Sequence, residues 1–315
     1  FKQKTAYEIG VRLVGSEMCI RDRSGWVGSR FAAALELPHV VTFHTLAEAK
    51  RQATNEEPDV SARYVTERKV ANDADFVVCF TEHEATLLAR SYGVSRAAIK
   101  VMPCGVDTDM FRPRDKAEAR SRLGVTEKYV VLFVGRIEPI KALGTLIQAV
   151  ELVEDTSSLR VLVVGGDSYG PEYQRVQSMC YSLGIDDNVS FVGSVPQMEL
   201  PIYYNAADIL VVPSKYESFG LVALEALATG TPVIASRVGG LATIVQDTKT
   251  GFLIPWQCPD AFARKLEILL ANESILEAMA VEARKSAMVY SWSSVGEELL
   301  KLYASSVLQR VGSAL

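Results

Sequence analysis

A pair of glutamates eight positions apart offers the clearest chemistry in this chain. Glu217 lies in the loop after the apolar run Ile209–Val212, and Glu225 lies in the second turn of a helix predicted over residues 219–229. Carboxylates accept hydrogen bonds from hydroxyl groups, and the first amides of a helix are free donors at the positive end of its dipole. The segment therefore predicts a site for a ligand with both hydroxyls and phosphates. An ordinary amphipathic helix with one solvated glutamate is the alternative.

Two cationic side chains follow another apolar run, residues 129–134. Arg136 and Lys141 lie five positions apart across a turn, so a guanidinium fork and a flexible ammonium can both reach one diphosphate and neutralise a leaving phosphate. Either residue alone would be assigned to a solvated surface. Together with the helix amides around Gly220 and Leu221, they favour a phosphate-binding site.

The elements that must position these residues alternate between strand-like and helix-like segments from Val40 onward. This alternation is typical of parallel sheets with helical crossovers and predicts two α/β domains of the doubly wound type. Ligands of such sheets collect beyond the carboxyl ends of the strands, where Arg136, Lys141 and Glu217 fall. The predicted strands are 40–43, 76–80, 99–102, 129–134, 159–164, 189–192, 209–212 and 232–235.

The composition of the chain argues against several classes of function. The 315 residues are 49% hydrophobic, enough for two cores, and a net charge of −5 argues against nucleic acid. No apolar run approaches the ~18–20 residues of a spanning helix, whereas peripheral membrane contact stays open. The five cysteines form no C-x-x-C pair and the three histidines are scattered, so we expect no metal, no disulfide framework and a reducing cytoplasm.

Residues 1–23 have no initiator methionine and no sustained period, and they resemble translated sequencing-adapter read-through from environmental DNA. We therefore expect a non-native leader, with a native strand and loop as the alternative. The expected divisions are a partial N-terminal domain over 24–112, a second domain over 113–290, and a C-terminal helix over 291–315 that crosses back to the first.

Four motifs together resemble the retaining glycosyltransferases of family 4: residues 133–141, 191–194, 207–214 and 217–225. The resemblance covers nearly everything after residue 23. It implies the GT-B architecture, an α/β fold of two facing Rossmann-like doubly wound domains, with the first domain truncated in this chain. The nucleotide sugar would bind mostly to the second domain and the acceptor to the first.

The same resemblance implies a role for each residue of the donor site. Glu217 would bind hydroxyls of the donor sugar, and Glu225 would bind the nucleotide ribose. The remaining donor contacts would come from Arg136, Lys141 and the amides of Gly220 and Leu221. Arg136 and Lys141 are also catalytic candidates, since they would stabilise the departing diphosphate.

Motifs at residues 24–28 and 41–50 resemble one subset of that family, the sucrose-phosphate synthases and the inositol-phosphate N-acetylglucosaminyltransferases of mycothiol synthesis. His44 matches the catalytic histidine beside the donor sugar, with a buried core histidine as the alternative. Thr45 and Arg63 match positions that contact a phosphorylated acceptor. Because Glu67 lies at i+4 from Arg63, a solvated helix face is equally natural there.

The function implied is transfer of a sugar from a nucleotide-diphosphate donor to a hydroxyl acceptor with retention, without cofactor or protein nucleophile. A phosphorylated polyol or sugar is the expected acceptor. The alternatives are a nucleotide-sugar epimerase or phosphorylase on the same scaffold, and binding without catalysis because the first domain is incomplete. We also expect exposed apolar faces on residues 40–43 and 76–80, with reduced stability and little activity.

Overall fold

The computed structural model describes residues 21–54, 60–166, 169–255 and 258–313. Their contacts divide the chain into two compact units. Unit 1 contains the described residues up to Gly105 and from Tyr290 onward, and unit 2 spans residues 106–289. The division falls at 105/106 rather than at the predicted 112/113, because Phe111 is buried in unit 2 with its ring 5.8 Å from that of Tyr204.

Unit 1 alternates helices with three strands that form a parallel sheet in the order β1-β2-β3. Of the predicted leader, residues 1–20 lie outside the described residues, and 21–23 form the start of the first helix. The elements are α1 (Arg21–Leu35), β1 (Val40–Thr42), α2 (Ala47–Thr54), α3 (Val60–Asp73), β2 (Phe76–Cys79), α4 (Glu82–Ser91) and β3 (Ile99–Val101).

The strand faces of unit 1 that were predicted to be exposed are buried, so that expectation is wrong. Helix α1 packs against α3 and β1: a Cβ added at Gly25 would lie 2.8 Å from Val70 Cγ1 and 3.6 Å from Val41 Cγ2. Glycine at this position lets the helix approach closely enough to exclude water. The buried strand residues are Val41, Phe43, Val77, Val78, Cys79 and Phe80.

Unit 2 holds six strands and eight helices of four or more residues among its described residues. Its elements are α5 (Lys116–Leu123), β4 (Tyr129–Val134), α6 (Leu143–Glu151), β5 (Leu159–Val164), α7 (Pro171–Ser182), β6 (Val189–Gly193), α8 (Leu200–Ala206), β7 (Ile209–Val212), α9 (Leu221–Ala228), β8 (Val233–Ser236), α10 (Leu241–Ile244), β9 (Gly251–Ile254), α11 (Pro259–Leu270) and α12 (Glu273–Ala287).

All neighbouring strands of unit 2 are parallel, in the order β6-β5-β4-β7-β8-β9. The chain adds strands outward from β4 on one side and then returns to add them outward from β7 on the other. Such a reversal leaves a crevice at the carboxyl ends of the two central strands, the topological switch point of doubly wound sheets. The predicted doubly wound sheet is confirmed, with β9 as a strand that was not predicted.

The core of unit 2 lies between these strands and the covering helices. Strands β4 and β7 are almost wholly apolar because helices cover both faces of a parallel sheet. Helix α6 buries the four side chains whose spacing predicted its inner face, Leu143, Leu146, Ile147 and Val150. The sheet is therefore a rigid support for the loops at its carboxyl edge.

The last helix, α13 (Trp292–Ser313), is grouped with unit 1. Its indole lies against Gly105, where an added Cβ would be 2.6 Å from the Trp292 ring. A side chain at position 105 would therefore displace the tryptophan. Of the helices in the described part of the chain, none combines the length and apolarity needed to cross a membrane.

Candidate functional site

The loops on either side of the switch point are joined to each other. The loop after β4 carries Arg136 and ends in a short 3-10 turn, Pro139–Lys141, and the loop after β7 runs through residues 213–220. The Lys215 amide donates to the Ile140 carbonyl at 2.8 Å. Residues that are distant in sequence are thereby held at one edge of the sheet.

Lys141 and Glu217 are in direct contact at this edge. The Lys141 Nζ lies 2.6 Å from Glu217 Oε2, with the side chains only 20% and 16% exposed. Partial burial strengthens a charge pair relative to one in open water. The structure thus places a cation and a carboxylate together where the sequence predicted a shared site, while their ligand-binding roles stay predictions.

Helix α9 begins beside Glu217, two residues later than predicted, because Gly220 adopts a left-handed conformation with φ 99° and ends the preceding loop. A Cβ on Gly220 would lie 3.6 Å from Glu217 Cγ. The amides of Ala223 and Leu224 both donate to the Gly220 carbonyl. As the first residue of the helix, Leu221 has an amide without an intrahelical acceptor, which can donate to an anion.

Sequence reasoning missed a pair of glycines that supports this loop. The Gly240 amide donates to the Glu217 carbonyl at 3.0 Å. A Cβ on Gly239 would lie 1.9 Å from that carbonyl oxygen, and one on Gly240 would lie 2.2 Å from the Phe219 carbonyl oxygen. No larger side chain fits at either position without moving the Glu217 loop. The double glycine in the sequence was the available signal.

Glu225 is buried in the second turn of α9. Its Oε2 accepts a hydrogen bond from the Tyr204 hydroxyl at 2.7 Å, and the Gln197 side chain also donates to the carboxylate. Burial raises the pKa of Glu225 to about 7, and both hydrogen bonds oppose that rise. The alternative of a solvated helix glutamate is therefore wrong for Glu225.

Arg136 contacts another carboxylate of its own loop. Its guanidinium pairs with Glu138 Oε1 at 2.7 Å, and its side chain is 61% exposed. The loop that carries it rests on the next loop of the sheet, since a Cβ on Gly165 would lie 2.5 Å from the Gly135 carbonyl oxygen. Arg136 thus lies beyond the carboxyl end of its strand, as predicted, and its side chain is accessible to a ligand.

In unit 1, His44 and Thr45 follow β1. The His44 ring is half-buried and meets Phe80 edge-on, with 5.2 Å between ring centroids. The Thr45 hydroxyl donates to the His44 carbonyl at 2.8 Å. His44 is therefore at the end of a strand, as predicted, but is not fully buried.

Arg63 is fixed by a buried carboxylate. Its Nε donates to Glu67 Oε1 and its Nη2 to the Thr45 carbonyl, both at 2.7 Å. Glu67 is 0% exposed, and its Oε2 accepts from the Ala47 amide and the Tyr92 hydroxyl. The i,i+4 pair exists, but the alternative of a solvated helix face is wrong. Arg63 and Thr45 are instead brought together.

The carboxyl end of the unit 2 sheet combines an ammonium group, a partly exposed carboxylate, the first-turn amide of α9 and a buried carboxylate. These groups suit a phosphorylated ligand that also carries hydroxyls. The fold and site define an α/β protein with a doubly wound parallel sheet and a candidate ligand site at its switch point.

Comparison with known families specifies that class. The model for glycosyl transferases group 1 matches residues 115–286, and the model for glycosyltransferase family 4 matches residues 21–110. The chain belongs to the glycosyl transferases group 1 family. The predicted resemblance to family 4 is confirmed.

Curated relatives carry the name D-inositol 3-phosphate glycosyltransferase. The protein from Nocardia farcinica is 40% identical over 299 residues, covering 92% of this chain and 66% of its own length. That from Geodermatophilus obscurus is 41% identical over 293 residues, covering 90% and 64%. The chain therefore spans about two thirds of the length of these relatives.

Solved structures agree on the fold. The sucrose-phosphate synthase of Thermosynechococcus elongatus superposes with a TM-score of 0.82 at 32% identity, covering 91% of this chain and 72% of that one. Anabaena HepE, in complex with UDP-glucose, gives a TM-score of 0.79 at 21% identity, covering 90% and 77%. The predicted fold class, α/β with parallel sheets of the GT-B type, is confirmed.

Proposed function

We propose that this protein transfers a sugar from a nucleotide-diphosphate donor to a hydroxyl acceptor, with retention at the anomeric carbon. The observation that carries the proposal is the contact between Lys141 and Glu217 at the switch point of unit 2. An ammonium group for the diphosphate and a carboxylate for the sugar stand side by side, the order in which a nucleotide sugar presents these two groups.

The donor would extend from this pair along the start of α9. Its diphosphate would accept hydrogen bonds from Lys141, from Arg136 and from the Leu221 amide, and the helix dipole adds positive potential there. Its ribose would reach Glu225, whose buried carboxylate is a strong acceptor. No protein-bound metal is needed in this proposal, because these groups supply the positive charge.

The acceptor would bind through unit 1. The Arg63 guanidinium is held by the Glu67 carboxylate and the Thr45 carbonyl, and a fixed guanidinium suits a phosphate. The curated relatives are named for D-inositol 3-phosphate, a phosphorylated polyol. We therefore propose a phosphorylated polyol as the acceptor, with His44 as the group that contacts the donor sugar during transfer.

The reaction would need no protein nucleophile. A leaving phosphate oxygen accepts the proton of the attacking hydroxyl on the same face of the sugar, which retains the anomeric configuration. The protein holds the two reactants in reacting geometry and stabilises the charge that develops on the diphosphate. Arg136 and Lys141 are the side chains assigned to that charge.

The test incubates the protein with UDP-, GDP- and ADP-sugars, with and without D-inositol 3-phosphate, and identifies products by mass spectrometry. The proposal predicts a glycosylated inositol phosphate and a released nucleoside diphosphate. An altered sugar without acceptor would assign an epimerase, and nucleotide binding without product would assign a binding module. Either result would contradict the proposed transfer.

A further inference from the structure

The Glu225 carboxylate is held by neutral hydrogen-bond donors. The Tyr204 hydroxyl donates to Oε2 at 2.7 Å, and the half-buried Gln197 side chain also donates to the carboxylate. A buried carboxylate that lacks donors is costly, so these contacts define how it lies.

Tyr204 itself is placed rigidly and out of reach. The side chain is 0% exposed, and its ring meets the Phe111 ring edge-on at 5.8 Å. The Tyr204 carbonyl accepts from the Thr231 hydroxyl at 2.8 Å. Burial raises the pKa of Tyr204 well above its usual value, so the hydroxyl stays protonated and remains a donor. It therefore acts on Glu225 and on no ligand directly.

An ionised carboxylate offers about four acceptor positions, of which the Tyr204 hydroxyl occupies one. The hydroxyl thereby limits the rotation of the carboxylate and leaves its other acceptor positions for Gln197 and a ligand. A ribose presents two adjacent hydroxyls, which need acceptors in a fixed orientation. Without Tyr204, the carboxylate could turn or take up a proton.

We propose that Tyr204 is a positioning residue that orients the Glu225 carboxylate to accept the ribose hydroxyls of the donor nucleotide, and so selects ribonucleotides over deoxyribonucleotides. The inference rests on the proposed function, because it assumes a nucleotide donor on unit 2. It concerns residues of unit 2 alone and can therefore be tested by binding, without sugar transfer.

The experiment measures affinity by calorimetry for UDP, GDP and ADP, and then for the 2′-deoxy form of the diphosphate that binds most tightly. We expect the unsubstituted protein to prefer the ribose form by about tenfold or more, the effect of a hydrogen bond to a charged group. Tyr204→Phe should reduce that preference to about twofold or less, while affinity for the deoxy form changes little.

Tyr203→Phe is the matched control, because Tyr203 is the adjacent buried tyrosine of α8. It should keep the full ribose preference. The ribose preference of a Tyr204→Phe/Glu225→Gln double variant should be no smaller than that of Glu225→Gln alone, since Tyr204 acts through that carboxylate. Melting curves are recorded for every variant.

A Tyr204→Phe variant that keeps the ribose preference, that loses affinity for both forms equally, or that does not fold would overturn the inference. In each case the hydroxyl would serve stability or general binding and not ribose selection. If the unsubstituted protein binds none of the three ribonucleotides, the proposed donor site itself fails. That outcome is distinct from failure of Tyr204→Phe alone.

Discussion

We predict that Lys141→Met and Glu217→Gln change the affinity for a free nucleoside diphosphate in opposite directions. The ammonium group of Lys141 lies 2.6 Å from Glu217 Oε2. A bound diphosphate must therefore compete with the Glu217 carboxylate for the Lys141 ammonium group. Removal of the cation should weaken binding, and removal of the competing anion should strengthen it.

The magnitudes follow from the contact. A hydrogen bond to a charged group contributes about 1.5–3 kcal/mol, so Lys141→Met should weaken binding about 10- to 150-fold. Glu217→Gln removes a nearby negative charge and the competition for Lys141, which we expect to strengthen binding about fivefold, or about 1 kcal/mol. Because the pair is only partly buried, either substitution should lower the free energy of unfolding by about 1 kcal/mol.

Calorimetric titration with the diphosphate that the unsubstituted protein binds measures both effects, and thermal unfolding separates them from loss of structure. The matched control is Lys116→Met. Lys116 pairs with Asp208 at 2.8 Å, at the amino end of β7 and so at the opposite edge of the sheet. This control should leave affinity unchanged. If Glu217→Gln weakened binding of the free diphosphate as Lys141→Met does, the competition argument would be refuted.

Three further predictions concern local structure. Gly220→Ala should lower the free energy of unfolding by about 1–2 kcal/mol in denaturant titrations, because φ is 99° and the new Cβ would lie 2.8 Å from Leu241 Cδ2; an unchanged midpoint would contradict this. Burial raises the pKa of Glu84 from 4.5 to about 7, so the folded state binds more protons than the unfolded state. The free energy of unfolding of unit 1 should therefore fall by up to about 3 kcal/mol as the pH rises from about 4.5 to about 7. Glu84→Gln should flatten that profile, whereas the exposed Glu82→Gln should not. Glu67→Gln should cost about 2–3 kcal/mol in thermal unfolding, because the amide cannot replace the buried carboxylate towards Arg63; a neutral effect would count against a buried charge there.

Most strands could be predicted from the sequence because runs of consecutive apolar residues indicate their burial. Strands β4 and β7 are continuous apolar runs, as parallel strands covered on both faces must be. Strand β9 was missed because its first residue, Gly251, lies against the Val233 carbonyl. A glycine required by close backbone approach lowers the local strand signal.

The types and positions of the residues predicted which of them form the site, but they did not predict which side chains pair. Lys141 and Glu217 are 76 positions apart, so no local period specifies their contact. Helix α9 starts late for a local reason, the positive φ of Gly220, that composition does not reveal. The unit boundary likewise depends on a distant contact, in which Arg284 Nη1 donates to the Phe111 carbonyl at 2.9 Å.

A crystal structure with a bound nucleoside diphosphate would test the central claim most directly. We expect the diphosphate to lie within hydrogen-bond distance of Lys141 Nζ and the Leu221 amide, with the ribose hydroxyls on Glu225. A nucleotide bound away from the carboxyl edge of the unit 2 sheet, with Lys141 still paired to Glu217, would contradict the account.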